Sequence, residues 1–502
     1  MQYAVTSAEM KFYDAETISK IGMPSLVLME RAALETVRVL TEEGKAGGKV
    51  LVVAGTGNNG GDGLAIGRML ALSGTEVTFL LAGREDKASS ETKSQIEILR
   101  NLGFSIQSKL KNREYDIVID ALFGIGLGRP IEGEYRELVE EIEEMRQRGA
   151  LVCSVDIPSG ISADTGKIMG CAVKADVTVT YAFAKRGELL YPGREYTGKL
   201  VVRDIGIPHK LTDQLKPETF FYDKRDVSCR LPKRRPDGNK GTFGKVLLIS
   251  GSLDMCGACI LCGSSILRAG AGMVKIISPE CNREIIQKSL PEAMLYSYEQ
   301  FPEENQLQKS LEWADIIVAG PGLGMGKEAY FLTEYCLLNS KIPMVLDADA
   351  LNLIGKHKEL AELLRKQDGK RIVLTPHPGE LVRLLDTDME SYREKRMETV
   401  KEALKRYGCV LASKDAVTVV LGDAEEGVFI NTSGNDGMAT AGSGDVLAGI
   451  LGGLMAQRLS AYEAACLGVY LHGRAGDEAV MENGKYAVTA TDIVRYLSRV
   501  MK

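Results

Sequence analysis

Short apolar runs separated by longer amphipathic stretches set the rhythm of the first 220 positions. Lys49–Ala54 (KVLVVA) has the unbroken apolar character of a strand buried on both faces. It leads into glycines and then an amphipathic stretch, Gly61 to Ser73, whose period suits a helix. Val77–Leu81, Ile117–Asp120 and Val152–Val155 are further strand candidates, and Glu134–Arg148 carries a helical pattern between two of them. The alternation predicts an α/β domain with a parallel sheet covered by helices on both faces. Two helical patterns ending near Glu43 precede the first strand and should pack outside the sheet.

Between Tyr222 and Lys240 (YDKRDVSCRLPKRRPDGNK) the pattern breaks into prolines, charges and Gly238, the composition of a linker. Its basic run, Lys233 to Arg235, reads as a solvated connector. Alternation then resumes with strands at Lys245–Ser250, Met273–Ser278, Ile316–Ala319, Met344–Leu346 and Ile372–Leu374, and a helix at Ala258–Ala269. Hairpin-like strands at Ala416–Leu421 and Gly427–Ile430 follow, and long helices run from Ser443 onward. Two tandem α/β domains are expected, 1–222 and 241–502 with 223–240 joining them, and no internal repeat relates them.

At 502 residues the chain exceeds one hydrophobic core, in keeping with that division. A formal net charge of −6 argues against a large nucleic-acid surface. The polar stretch Met1–Met10 lacks the apolar region of a signal peptide, and the apolar stretch Val446–Met455 is too short for a membrane span. A cytoplasmic enzyme without membrane or nucleic-acid partners is expected. Cys256, Cys259 and Cys262 are spaced like the start of an iron–sulfur run, but no fourth cysteine lies near, and i, i+3, i+6 spacing suits a buried helix face.

Three polar clusters fall where N-terminal strands end. Gly55–Gly63 (GTGNNGGDG) follows a strand and opens a helix, a setting in which free N–H groups and the helix dipole favour phosphate. Asn58, Asn59 and Asp62 add specific polar groups to what is otherwise a tight strand-to-helix turn. The second cluster is Asp120–Pro130 (DALFGIGLGRP), and the third is Asp156–Gly160 (DIPSG). Each aspartate could alone be a cap or turn residue, but open α/β sheets bind ligands at such strand ends. Asn59, Asp120, Asp156 and Ser159 would gather in one crevice.

These motifs, with Tyr191-Pro192-Gly193 downstream, resemble the NAD(P)H-hydrate epimerase family across nearly all of residues 1–220. The resemblance implies a Rossmann-like fold and a bound potassium ion, with Asn59, Asp120 and Ser159 as its ligands. It places the hydrated nucleotide on Asn58, Asn59, Gly60, Gly61 and Asp62, on Gly124, Ile125, Gly126, Leu127, Gly128, Arg129 and Pro130, and on Asp156. An all-oxygen set suits a hard cation. Asp156 is the candidate acid/base for inversion at C6 of the nicotinamide ring.

In the second half, Asn435–Asp445 (NDGMATAGSGD) runs into an apolar helix, a pattern that suits an anion held at a helix N-terminus beside a carboxylate base. A plain glycine turn with Asp445 as a helix-start charge is the alternative. AGSGD resembles the ribokinase-like superfamily, whose last aspartate activates a hydroxyl. Lys240–Lys245 (KGTFGK), Arg268–Gly272 (RAGAG), Gly320–Gly324 (GPGLG), Asp347–Asn352 (DADALN) and Thr375–Glu380 (TPHPGE) resemble its NAD(P)H-hydrate dehydratase branch.

That resemblance implies phosphorylation of the C6 hydroxyl followed by loss of phosphate, with Asp445 as base. It places Lys414, Asp415, Ala416, Val417, Thr418 and Gly444 on the nucleotide, and Ala258, Gly322 and His377 on the hydrate. Gly322 could equally be a turn glycine, and His377 a hydrogen-bonded residue between two prolines. The segment 255–259 carries cysteines where the family more often has small or aromatic residues. ADP as co-substrate is implied by the fused arrangement, and Glu380 or Asp347 are candidates to position magnesium. His209, His357 and His472 fall outside the motifs and read as structural or surface residues. The expected chemistry is epimerisation of NADHX and NADPHX, then ADP-dependent dehydration of the S form, in a homo-oligomer. A small-molecule kinase, or a non-catalytic N-terminal binding module, are the competing readings.

Overall fold

The computed structural model describes residues 1–208, 210–423 and 425–502, so His209 lies outside the described residues. The chain forms two compact units, Gln2–Thr219 and Phe220–Lys502. The stretch expected to join them opens with a helix, Lys224–Arg230, because Asp223 and Asp226 make a capping box there.

The first unit holds a seven-stranded sheet among the described residues. Its order is Ile106–Gln107, Glu76–Leu81, Lys49–Ala54, Ile117–Ala121, Leu151–Val155, Val177–Tyr181 and Lys199–Arg203, with every pairing parallel. Both faces are covered, as the unbroken apolar runs require. Val50, Val52 and Ala54 pack in one core cluster with residues of helices Ser25–Glu42 and Asn58–Leu72, while Leu51 and Val53 pack in another with helix Glu134–Gln147. Each fully buried Val or Leu contributes about 1.5–3 kcal/mol, so the strand ends are held by a rigid frame.

From Lys49–Ala54 the chain first builds outward through Glu76–Leu81 to Ile106–Gln107, then returns to lay Ile117–Ala121 on the other side. The reversal opens a crevice beyond Ala54 and Ala121, where open sheets take their ligands. Val53 pairs with Asp120, and Asp120 pairs with Ser154, which sets those side chains in register just below it.

The second unit repeats this logic. Strands run in the order Met294–Tyr298, Met273–Pro279, Lys245–Ile249, Ile316–Ala319, Met344–Leu346, Ile372–Leu374, Val410–Ser413, Val419–Leu421 and Val428–Ile430. All pairings are parallel except the last two, which are antiparallel, and the last of these is the expected hairpin. The expected strand Ala416–Leu421 begins only at Val419. Ala416 N instead donates to Asp415 Oδ1 at 2.8 Å and the Val417 carbonyl accepts from Arg396, so side chains take the backbone groups a ladder would need. Helices Cys256–Arg268 and Ser443–Ala456 pack against each other, and the reversal of strand order falls between Lys245–Ile249 and Ile316–Ala319.

Candidate functional sites

In the first unit a cavity of about 580 Å³ lies at the crevice, within the range that suits a nucleotide-sized ligand. Asn58, Asn59, Asp62, the run Gly124–Arg129 and Asp156 line it. Gly60 and Gly61 lie beneath the loop. A side-chain carbon at Gly60 would come within 1.9 Å of the Gly55 carbonyl, so only glycine lets the turn close. Pro130 lies beside Gly170, off the wall.

Asp120 and Ser159 are completely buried next to this wall. Ser159 Oγ donates to Asp120 Oδ1 at 2.5 Å and accepts from Phe123 N at 2.9 Å, and Phe123 faces the cavity. Ser154 Oγ and Ser159 N donate to Asp120 Oδ2 at 2.7 and 2.9 Å. Burial raises the Asp120 pKa, while these hydrogen bonds pull it back. No cation pairs with this carboxyl among the described residues. Beside Gly124, the Asn59 side-chain amide has a buried nitrogen without a hydrogen-bond partner. Since amide N and O can exchange by a flip, an oxygen from Asn59 can take that place. Three uncharged or anionic oxygen donors with one amide unsatisfied fit a monovalent hard cation.

Around Asp156 and Asp62 the structure adds three ionisable groups the sequence did not single out, Asp14, Lys185 and Glu188. Asp156 sits at φ +67°, strained for a non-glycine residue, and forms an ion pair with the fully buried Lys185. Lys185 Nζ also donates to Thr180 Oγ1 at 2.8 Å. Asp14, on helix Ser7–Ser19, and Asp62 both line the cavity. Burial, then the charge of Asp156, pushes Asp14 up to about 6 and Asp62 well above the carboxylate range. Burial likewise holds Glu188, beside Lys185, at about 8. The two N-terminal helices therefore wall the cavity as well as covering the sheet: Met10, Asp14, Ser25 and Met29 all face it.

In the second unit, five loops leave the C-terminal ends of parallel strands and carry Ser250, Gly322, Asp347, His377 and Lys414. Asp347 is buried and accepts from Lys414 Nζ at 2.6 Å and Thr375 Oγ1 at 2.7 Å. Burial alone would lower Lys414, but Asp347 and Glu380 carry it above its usual value. Asp445 stands in the first turn of helix Ser443–Ala456, whose N-terminus has no side-chain cap. Burial and the Asp347 charge raise it to about 7, and Lys414 opposes them. Gly444 lies between these groups: a side-chain carbon there would be 3.3 Å from Lys414 Nζ and 3.9 Å from Asp347 Oδ2.

The hydrate-binding candidates also come together in part. Gly322, at φ +56°, abuts Ala258, where an added carbon would come within 2.8 Å of the Ala258 Cβ. His377 is half-exposed and caps helix Pro378–Leu385, its Nδ1 accepting from Gly379 N at 3.0 Å. Burial and then Lys414 lower its pKa. Glu380, raised to about 7 chiefly by burial, accepts from His377 N at 2.8 Å. Of the nucleotide candidates, Lys414 reaches Asp347. Asp415 is engaged by Tyr392 at 3.1 Å, Val417 is buried, and the Thr418 carbonyl accepts from Asn431 N at 2.9 Å.

His472, read from the sequence as structural, sits 3.3 Å from Ser443 Oγ at the head of this helix, and burial pushes its pKa down to about 4. His357 packs edge-on against Tyr330. Cys256, Cys259 and Cys262 are buried free thiols on one helix, with burial raising each pKa. Among the described residues no cluster of three His, Cys, Asp or Glu side chains is arranged to hold a metal, and no helix is long and apolar enough to cross a membrane.

A family model described as NAD(P)H-hydrate dehydratase matches residues 246–499, and one described as YjeF-related protein N-terminus matches residues 25–187. The bifunctional NAD(P)H-hydrate repair enzyme of Moorella thermoacetica is 36% identical over 525 residues, spanning 100% of this chain and 97% of its own length. The enzyme of that name from Escherichia coli is 34% identical over 493 residues, 97% and 92% of the two chains. Among solved structures, a ribokinase-like superfamily protein from Enterococcus faecalis superposes with a TM-score of 0.51 at 29% identity, covering 57% of this chain and 95% of that one.

Proposed function

Matched along its whole length in this way, the chain belongs to the bifunctional NAD(P)H-hydrate repair enzymes, and we propose that it restores hydrated NADH and NADPH in two steps. The first unit interconverts the R and S epimers at C6. The second dehydrates the S form with ADP, giving AMP, phosphate and the reduced nucleotide. The observation that carries the second step is Asp445, a carboxyl poised at about 7 where the uncapped end of a helix can receive phosphate.

Asp445 takes the proton of the C6 hydroxyl as that oxygen attacks the terminal phosphorus of the nucleotide. Phosphate then leaves with the C6–O bond pair while a C5 proton is lost, and the ring double bond re-forms. Hydroxide would leave poorly, and phosphorylation removes that obstacle. Gly444 and Lys414 are assigned to the nucleotide's phosphates, and Lys414 opposes the push of Asp347 on Asp445. Ala258, Gly322 and His377 are assigned to the hydrate, and Asp415, Ala416, Val417 and Thr418 to the rest of the nucleotide.

Asp347 and Glu380 are the carboxylates suited to magnesium that enters on the nucleotide, since magnesium typically takes one or two protein carboxylates together with phosphates. When bound it supplies positive charge to the transferring group. In the first unit the potassium site is assigned to Asn59, Asp120 and Ser159, on the strength of the unpartnered Asn59 amide and the uncompensated Asp120. The ion would neutralise Asp120 and hold the Asn59 loop against Gly124. Asn58, Asn59, Asp62, Gly124 to Arg129 and Asp156 are assigned to the hydrate, with Gly60 and Gly61 closing the turn beneath them.

We assign action to the cytoplasm, in line with ten free cysteines. A homo-oligomer is favoured by exposed apolar residues such as Leu26, Val27 and Leu34 on the second N-terminal helix. The decisive separation of the two activities is by mutation in the full chain. Asp445→Asn should lose NADH formation from the S hydrate while retaining epimer exchange, and Asp156→Ala should do the reverse. Loss of neither activity would refute the assignment of these two carboxyls, and a stable phosphorylated product would favour a simple kinase.

A further inference from the structure

Inversion at C6 by opening of the C6–N1 bond needs a proton to leave the hydroxyl and another to arrive at N1. Two groups, one accepting and one donating, let both transfers occur in the same step. Around the cavity, helix Ser7–Ser19 brings Asp14, helix Asn58–Leu72 brings Asp62, and the loop after strand Leu151–Val155 brings Asp156. Among the described residues the ammonium of Lys185 lies in an ion pair with Asp156. Lys11, Glu91 and Arg129 also face the cavity, as does Tyr181, whose hydroxyl bonds to Thr36 at 2.8 Å, and Glu188 lies behind Lys185. Asp62 and Asp14 have no side-chain cation partner among the described residues.

Resting on the epimerase reading of this unit, we propose that Asp62 and Asp156 form an acid–base pair for inversion at C6, Asp62 as the acid and Asp156 as the base, with Lys185 as the positioning residue of Asp156. A carboxyl paired with an ammonium suits the base, and a second carboxyl in the same cavity without a cation suits the acid. The division follows from what each touches. Asp156 has a buried ammonium and the Tyr181 N–H at 3.4 Å, whereas Asp62 lines the same cavity with no cation partner among the described residues, and burial and the charges of Asp156 and Asp14 raise its pKa. Asp156, at φ +67°, meets both Lys185 and the cavity.

The ring nitrogen donates its lone pair into the carboxamide through the adjacent double bond, so it leaves carbon more readily than it expels hydroxide. Asp156 takes the C6 hydroxyl proton. The O–H pair becomes the second bond of an aldehyde, and the C6–N1 pair moves to N1, which takes the proton of Asp62. Rotation about C5–C6 presents the other aldehyde face. N1 attacks it, its proton returns to Asp62, and the new alkoxide recovers the proton from Asp156. Nothing is oxidised or reduced.

The test uses the full chain without ADP, following R-to-S exchange by chromatography, with dehydration of the S hydrate in the presence of ADP as an internal control of folding. Asp62→Asn should lower kcat for exchange on the order of 100-fold or more, with KM within about threefold and dehydration unchanged. An exchange kcat within threefold of the parent, or a rise in KM alone, would overturn the acid role. Lys185→Met should lower kcat for exchange roughly tenfold or more with KM within about threefold, and Lys185→Arg should restore it. An unchanged kcat, or a change in KM alone, would overturn the positioning role. If the parent protein itself fails to accelerate exchange, the epimerase reading fails instead.

Discussion

Protonation of Asp445 sets how dehydration depends on pH. With its carboxyl raised to about 7, first by burial and then by Asp347, the ionised fraction is about one tenth at pH 6 and about nine tenths at pH 8. The rate carried by the ionised form should therefore rise roughly tenfold across that interval, then level off. Asp445→Asn removes the base and the limb with it, leaving a flat profile lowered by about 10²- to 10⁴-fold, or about 3–5 kcal/mol of barrier. The stability sign is opposite. A carboxyl whose folded pKa lies above its unfolded value favours folding below the unfolded pKa, and that contribution is lost as pH rises through about 7. The Asn variant should thus be more stable than the parent at pH 8, on the order of 1–4 kcal/mol, with the gain shrinking toward pH 4. Single-turnover dehydration of the S hydrate from pH 5.5 to 8.5, beside thermal melts of both proteins, tests both halves. A parent profile without an acid limb near 7, or an Asn variant that keeps that limb, would refute the reasoning.

Asp120→Asn places an amide among four donors, so we expect a loss of about 1–3 kcal/mol in melting experiments. The same variant should remove the potassium dependence of epimer exchange, read as rate against added potassium at constant ionic strength. Gly322→Ala forces a side chain into φ +56° and within 2.8 Å of Ala258 and the Met255 carbonyl. We expect about 1–3 kcal/mol of strain and a KM for the hydrate raised roughly tenfold, with epimer exchange unaffected. Thiol labelling read by mass spectrometry should modify exposed Cys229 and Cys281 first, and Cys259 and Cys262 only on unfolding.

Both sheets were legible because parallel strands buried on two faces read as unbroken apolar runs. Lys49–Ala54, Ile316–Ala319, Met344–Leu346 and Ile372–Leu374 match their expected bounds residue for residue. The polar clusters were legible for the same reason, since they begin where those runs stop. What the sequence hid was supplied by tertiary packing. Asp14 sits in an ordinary amphipathic helix and reaches the cavity only because that helix folds over the crevice. Lys185 looks like any surface lysine in AFAKRGE, and nothing local signals that it is fully buried against Asp156. The helix at Lys224–Arg230 was masked by the charges and prolines around it, although Asp223 and Asp226 spell its capping box. The shortened strand at Val419 was hidden because Arg396, far away in sequence, claims the Val417 carbonyl.

The central claim is that one chain repairs both epimers. A mixture of R and S hydrates of NADH, with ADP, magnesium and potassium, should be converted completely to NADH by the full-length protein, faster than the epimers exchange unaided, with one AMP and one phosphate formed per NADH. Conversion that stops once the S form is spent would contradict an epimerase in the first unit, and accumulation of a phosphorylated hydrate without NADH would contradict a dehydratase in the second.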